Sequence, residues 1–126
     1  MSQPVENQDL SAVMRQDAQA RFDYSLKQMA AQRQIWILID ESGCVMLNTD
    51  DEDCVPVWPH EELAQAWATG EWGDCQAKSI SLNLWKSRWT YGLTDDDLSI
   101  VVCPSLDGEG VIVFPDEFEH QLSRQR

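Results

Sequence analysis

The chain predicts an α+β fold: a mainly antiparallel sheet of about five strands with three to four helices packed on it, in a single domain. Three observations predict this. Leu10, Met14, Ala18, Phe22, Leu26 and Met29 recur every three or four residues, the stripe of an amphipathic helix. Ile35-Trp36-Ile37-Leu38-Ile39 is a near-continuous apolar run of strand length. Turn signals at Gly43 and at Asp107-Gly108 mark two hairpins, whose neighbours must be antiparallel.

Residues 1–9 are polar and carry Pro4, so a flexible terminus is expected there, with the single domain over 10–126. The first helix is predicted over Ser11 to Arg33 and the first strand over Gln34 to Asp40. Glu41-Ser42-Gly43 turns the chain, and Cys44 to Leu47 returns as the hairpin partner. After the acidic loop Asn48 to Asp53, Cys54 to Val57 reads as a strand ending at Trp58-Pro59. A proline at the first helical position has the required φ and lacks an N–H that would be orphaned, so the next helix is placed from Pro59. Its expected buried stripe is Leu63, Ala66 and Trp67, with Gly70 as its cap. Trp72 anchors the following loop, and Gln76 to Ile80 forms a short strand. Ser81 caps a helix from Leu82 to about Tyr91, with Leu82, Trp85 and Trp89 inward and Gly92 as its stop. Leu98 to Cys103 and Val111 to Phe114 are strands, and Pro115 opens a last helix packed through Phe118 and Leu122. Val55, Val57, Trp58, Pro59, Glu61 and Gln65 align without gaps on Val111, Val113, Phe114, Pro115, Glu117 and Gln121. Either two equivalent halves or one capping rule used twice produces such an echo.

At 126 residues, with 43% hydrophobic and 25% charged residues, the chain can fill one core but not two. Nine Lys and Arg face 22 Asp and Glu, a net charge of −13. Residues 1–33 hold four acids and four bases, and residues 34–126 hold 18 acids and five bases, so the excess belongs to the folded body. Such a surface repels phosphate backbones, which excludes direct nucleic-acid binding and favours a basic protein partner or plain solvation. The opening residues have neither a basic segment nor an apolar one, and no stretch approaches a membrane span of about 18 apolar residues. A cytoplasmic location with no membrane contact is expected, and four widely spaced Cys fit reduced thiols there.

No catalytic constellation is legible. The nearest Cys are ten residues apart and only His60 and His120 are present, which is poor zinc spacing, and no cofactor or metal is expected. Cys44, Cys54 and Cys103 lie in predicted strands as small apolar residues, and Cys75 sits beside Asp74, which raises rather than lowers a thiol pKa. His60 and His120 read as solvated positions. A Gly-x-Ser-x-Gly elbow and a glycine-rich phosphate loop are both absent. The Asn48 to Asp53 loop lacks the central glycine and terminal acid of a calcium loop. Asp95, Asp96 and Asp97 repel one another in a turn, a strain that either solvent or a divalent ion relieves. The candidate ligand site is Trp85, Lys86, Arg88, Trp89 and Tyr91 with Lys78 upstream, which could hold an anionic group between aromatic faces, joined by Trp58 and Trp72 as further pocket walls. In the plainer reading Lys86 and Arg88 complement a helix C-terminus and the tryptophans are core.

Trp36, Gly43, Val55-Pro56-Val57-Trp58-Pro59, Ala64, Glu71-Trp72, Ile80-Ser81-Leu82, Trp89 and Gly92-Leu93 together resemble the bacterial family catalogued as domain of unknown function 2750. The resemblance runs from roughly Tyr24 to Leu122 and implies a small α+β domain in a bacterial cytoplasm. It carries over no catalytic or binding residue.

The acidic body and missing catalytic groups lead to the expectation of a protein-binding or regulatory module, immunity- or inhibitor-like, acting on a basic partner without catalysis. The alternative is a small-ligand-binding domain or unrecognised enzyme with a tryptophan-lined pocket. Homodimerisation through an exposed aromatic face or the first helix is the third reading.

Overall fold

A computed structural model describes residues 17–41, 43–49, 52–69, 72–104 and 110–124. The expected flexible terminus, the start of the first helix, Gly70 and the Asp107-Gly108 turn lie outside the described residues.

Helix α1 spans Ala18–Gln32 and is opened by Asp17, whose carboxylate accepts the Ala20 N–H at 2.9 Å. The expected stripe is buried through Phe22, Leu26 and Met29, and Arg21 and Ser25 are buried with it. Arg33 ends the helix with φ 58°, so the chain reverses directly into β1, Gln34–Asp40. Strand β2, Gly43–Cys44, returns on β1 in the expected hairpin, and Gly43 supplies the φ of 128° that the turn requires. Strand β3, Leu47–Thr49, pairs antiparallel with β4, Glu52–Val57.

The next helix, α2, is Glu61–Trp67. It starts two residues later than the proline rule predicts: Pro59 is buried in a bend and His60, in extended conformation, holds the N-cap position. That offset rotates the buried face, so Ala64 is enclosed and Ala66 is exposed. Gln65 then bridges to the next strand, its amide donating to the Cys75 carbonyl and accepting from the Ala77 N–H, both at 3.1 Å. Strand β5, Gln76–Ser81, lies antiparallel on β1 with Ile35 opposite Ile80.

Ser81 caps α3 as expected, accepting the Leu84 N–H at 3.2 Å. The helix runs as Leu82–Leu84, a π turn over Trp85–Trp89, and Thr90–Asp95. Gly92 therefore does not end it. Trp85 and Leu93 are eight residues apart, more than the roughly 7.2 of two α-helical turns, and the wider π turn absorbs the surplus so that both stay buried. The stop is Asp97, at φ 59°: its N–H bonds the Thr94 carbonyl and the Leu98 N–H reaches the Leu93 carbonyl, the paired bonds of a left-handed cap.

Strand β6, Ser99–Val102, is fully buried and lies parallel to β4. Strand β7, Val111–Val113, pairs antiparallel on its other side. Helix α4, Pro115–Ser123, begins at Pro115 as expected and buries Phe118 and Leu122. The two echoing units are thus not equivalent: Trp58 is fully enclosed while Phe114 is 67% exposed, and only α4 starts at its proline.

The α+β class holds, with four helices among the described residues, but the sheet does not take the single antiparallel five-stranded form. The described strands make two sheets, ordered β2-β1-β5 and β3-β4-β6-β7, the second mixed. They meet at one antiparallel bridge, where Trp36 and Trp58 exchange N–H to carbonyl bonds of 3.0 and 2.9 Å. Helix α3 lies between β5 and β6, and α2 between β4 and β5, so long crossovers stand beside the two expected antiparallel neighbours, β1-β2 and β6-β7, and allow the parallel pairing of β4 with β6. Pro56 sits inside β4 without penalty. Val57 turns its carbonyl to the β6 side, where the Cys103 N–H donates at 2.7 Å, so alternation points Pro56 the other way, beyond the last β3 pair at Cys54. One contiguous core, from Phe22 through Ile37, Trp58, Trp85 and Ile100 to Leu122, joins both sheets to the helices. No described helix is long and apolar enough to cross a membrane.

Candidate functional site

Five of the six tryptophans, all but Trp36, fall into two aromatic groups. Trp58 lies 5.5 Å from Trp67, which lies 5.9 Å from Trp72, under α2. Trp85 stacks on Trp89 at 5.1 Å with only 8° between planes, and meets the edge of Phe118 at 5.6 Å. Trp58 and Trp85 are fully buried, and their indole N–H groups have no acceptor among the described residues, so both rings serve as apolar bulk. Lys78 is exposed on β5 opposite Ile37, and Arg88 is exposed on the π turn. Lys86 is half-buried and lines a groove with Arg33. The groove that Lys86 lines includes none of Trp58, Trp72, Trp85 or Trp89.

His60 is not a simple solvated position. Its Nε2 lies 2.8 Å from the Tyr24 hydroxyl and its Nδ1 3.2 Å from Gln32 Nε2, which ties the start of α2 to α1. His120 is exposed on α4. Cys54, Cys75 and Cys103 are buried and outside any disulfide. Burial raises the Cys75 thiol pKa, with Asp40 and Asp74 adding to the effect. Burial pushes the Cys103 thiol up to about 11 against smaller opposing effects of Ser25 and Arg21. These two thiols stay protonated near neutral pH and are poor nucleophiles.

What the structure does assemble is an acidic groove of about 480 Å³. Three elements build it. The parallel pairing of β4 and β6 brings Asp53 beside Ser99, the left-handed cap of α3 delivers Asp97 and Leu98, and the start of α4 adds Phe114 and Asp116. Asp116 is oriented by its own helix, its Oδ1 accepting the Glu117 N–H at 2.9 Å. Among the described residues no three His, Cys, Asp or Glu side chains are grouped closely enough to hold a metal ion. The carboxylates are thus spread around an opening, with the exposed Phe114 ring at its rim, and the arrangement suits a larger organic cation. Sequence reading missed this site because Asp53, Asp97 and Phe114 are far apart along the chain. Its one local signal is an aspartate where a helix stop favours glycine.

Neither a curated protein nor a solved structure matches the chain. A family model does, described as "Protein of unknown function (DUF2750)", over residues 22–122. That match begins in α1, takes in every strand and helix after it and ends in α4, so the chain belongs to the DUF2750 family.

Proposed function

We propose that this protein is a protein-binding, regulatory module of the immunity or inhibitor kind, which captures a basic partner without catalysing a reaction. The observation that carries this reading is the groove in which Asp53, Asp97 and Asp116 surround an opening edged by an exposed aromatic ring. An arginine or lysine side chain of a partner fits such a place through charge-assisted hydrogen bonds and contact with the Phe114 face. The body around it supports the reading: 18 acids against five bases over residues 34–126 would speed encounter with a basic surface by long-range attraction.

Asp97 offers a clean test. Glycine is the better residue at φ 59°, so Asp97→Gly removes a groove carboxylate without weakening the fold. The intact protein, its Asp97→Gly variant and its Phe114→Ala variant are used as baits on source lysate at rising salt. A basic protein retained by the parent chain, lost between low and moderate salt and weakened about tenfold or more by each variant, is the expected result. A partner held equally by all three, or none at any salt, sinks the proposal.

A further inference from the structure

A second groove, of about 330 Å³, opens at the other end of α3, where α1 finishes, β5 passes into α3 and α4 makes its last turn. Its character is opposite to that of the rest of the molecule. Arg33 and Lys86 face it, Ser81, Asn83 and Ser123 add neutral polar groups, and no carboxylate among the described residues lines it. Lys86 is one of only five basic residues after position 33, against 18 acidic ones. Among the described residues neither Arg33 nor Lys86 forms an ion pair. Two cations facing one concavity without a counter-charge repel each other, and an anion placed between them turns that cost into attraction.

The backbone holds these groups in register. Arg33 occupies the left-handed cap of α1, its N–H bonding the Met29 carbonyl, and its own carbonyl accepts the Leu82 N–H at 2.9 Å. That bond fastens the end of α1 to the beginning of α3, so the two cations ride on connected elements. Ser81 accepts the Leu84 N–H through its hydroxyl oxygen, which leaves the hydroxyl proton to donate elsewhere. Leu82 and Leu122 supply an apolar wall.

We propose that this groove binds a small organic anion bearing a carboxylate or phosphate, with Arg33 and Lys86 as its charge partners and Ser81 and Asn83 as hydrogen-bond donors. Its volume lies at the small end of ligand sites, so the anion carries only a short aliphatic part, seated on Leu82 and Leu122. The site is independent of the acidic groove, with which it shares no residue.

The test is an amide-resolved NMR titration of the intact chain at low ionic strength, with inorganic phosphate in one arm and succinate in the other. Saturable shifts confined to residues 33, 81–86 and 123 are expected, and the arm that saturates at lower concentration identifies the headgroup. Arg33→Asn, which tolerates the left-handed backbone, and Lys86→Met, which keeps the packed stem, should each weaken binding about tenfold or more. Arg88→Gln, an exposed cation on the same helix outside the groove, should leave it unchanged. Absence of saturation in both arms up to about 50 mM, or equal weakening by Arg88→Gln, overturns the proposal, since both then reflect general screening.

Discussion

Cys103 shows how much one residue can be asked to hold. At φ 48° it turns the chain at the end of β6, and it is fully buried. Its N–H donates to the Val57 carbonyl at 2.7 Å, and its carbonyl accepts the buried Arg21 Nε–H at 2.9 Å, so it links β4 to α1. Its burial was legible from the apolar strand around it. The partnership with Arg21 was not, because a charged residue beside a helical stripe reads as solvated until the fold supplies a carbonyl for it. The thiol gives a pH prediction whose sign follows from the neutral form being favoured in the folded state. With a folded pKa of about 11 against an ordinary 9.0, the protein gains stability that is complete below pH 9 and lost as pH rises towards 11. A difference of that size between folded and unfolded chains is worth roughly 2–3 kcal/mol. Urea unfolding from pH 8 to 11 should show that decline in the parent chain and a shallower one in Cys103→Ala, which removes this group while Tyr and Lys still titrate. Cys75, also raised by burial, adds to the loss in the same direction.

Among the elements, α3 departs furthest from expectation. A glycine after Tyr91 looks like a helix stop, yet the chain continues through it to Asp95, because the bonds that end the helix are made by Asp97 and Leu98 and the burial of Leu93 draws the last turn inward. Gly92 thus carries the cost of glycine in a helix without the benefit of a cap. A Cβ placed there would meet nothing within 4 Å. Gly92→Ala should therefore stabilise the protein by about 1 kcal/mol, raising Tm by a few degrees in thermal unfolding followed by circular dichroism. A neutral or negative change would mean that the π turn beside it needs the freedom of glycine. Gly110 is the opposite case, since a Cβ there would come within 2.9 Å of the Val101 side chain. The starts of β1, β5 and β7 and the caps at Ser81 and Pro115 were legible because they depend on neighbours in sequence, whereas β3 and the start of β4 fall in the segment Asn48 to Asp53 that reads as an acidic loop. The start of α2 was not, since packing of Trp58 and Pro59 displaces it from the position that local chemistry favours.

Across the protein as one body, charge and topology act together. The excess of 13 negative charges lies on a body whose two described sheets are joined by the bridge at Trp36 and Trp58 and by the core beneath it. Self-repulsion on such a body opposes compaction and weakens as salt shortens the screening length from about 30 Å at 0.01 M to about 8 Å at physiological strength. Thermal unfolding at pH 7 should show Tm rising by several degrees over that range of sodium chloride. A flat or falling Tm would show that the carboxylates are already spaced or paired well enough to cancel their repulsion. The two grooves belong to this scale as well: one collects three carboxylates at one end of α3, and the other collects two cations at its start.

Local pattern was enough for the α+β class, most helix and strand positions, the apolar residues of the core and the family, because periodicity, caps and a shared set of Trp, Pro and Gly positions act over short stretches of chain. Long-range packing chose the parallel pairing of β4 with β6, two sheets in place of one, and the gathering of Asp97 with Asp53 and Asp116 and of Lys86 with Arg33. Those outcomes depend on which distant segments share an interior, and burial energy summed over the entire core selects them where neighbours in sequence are silent.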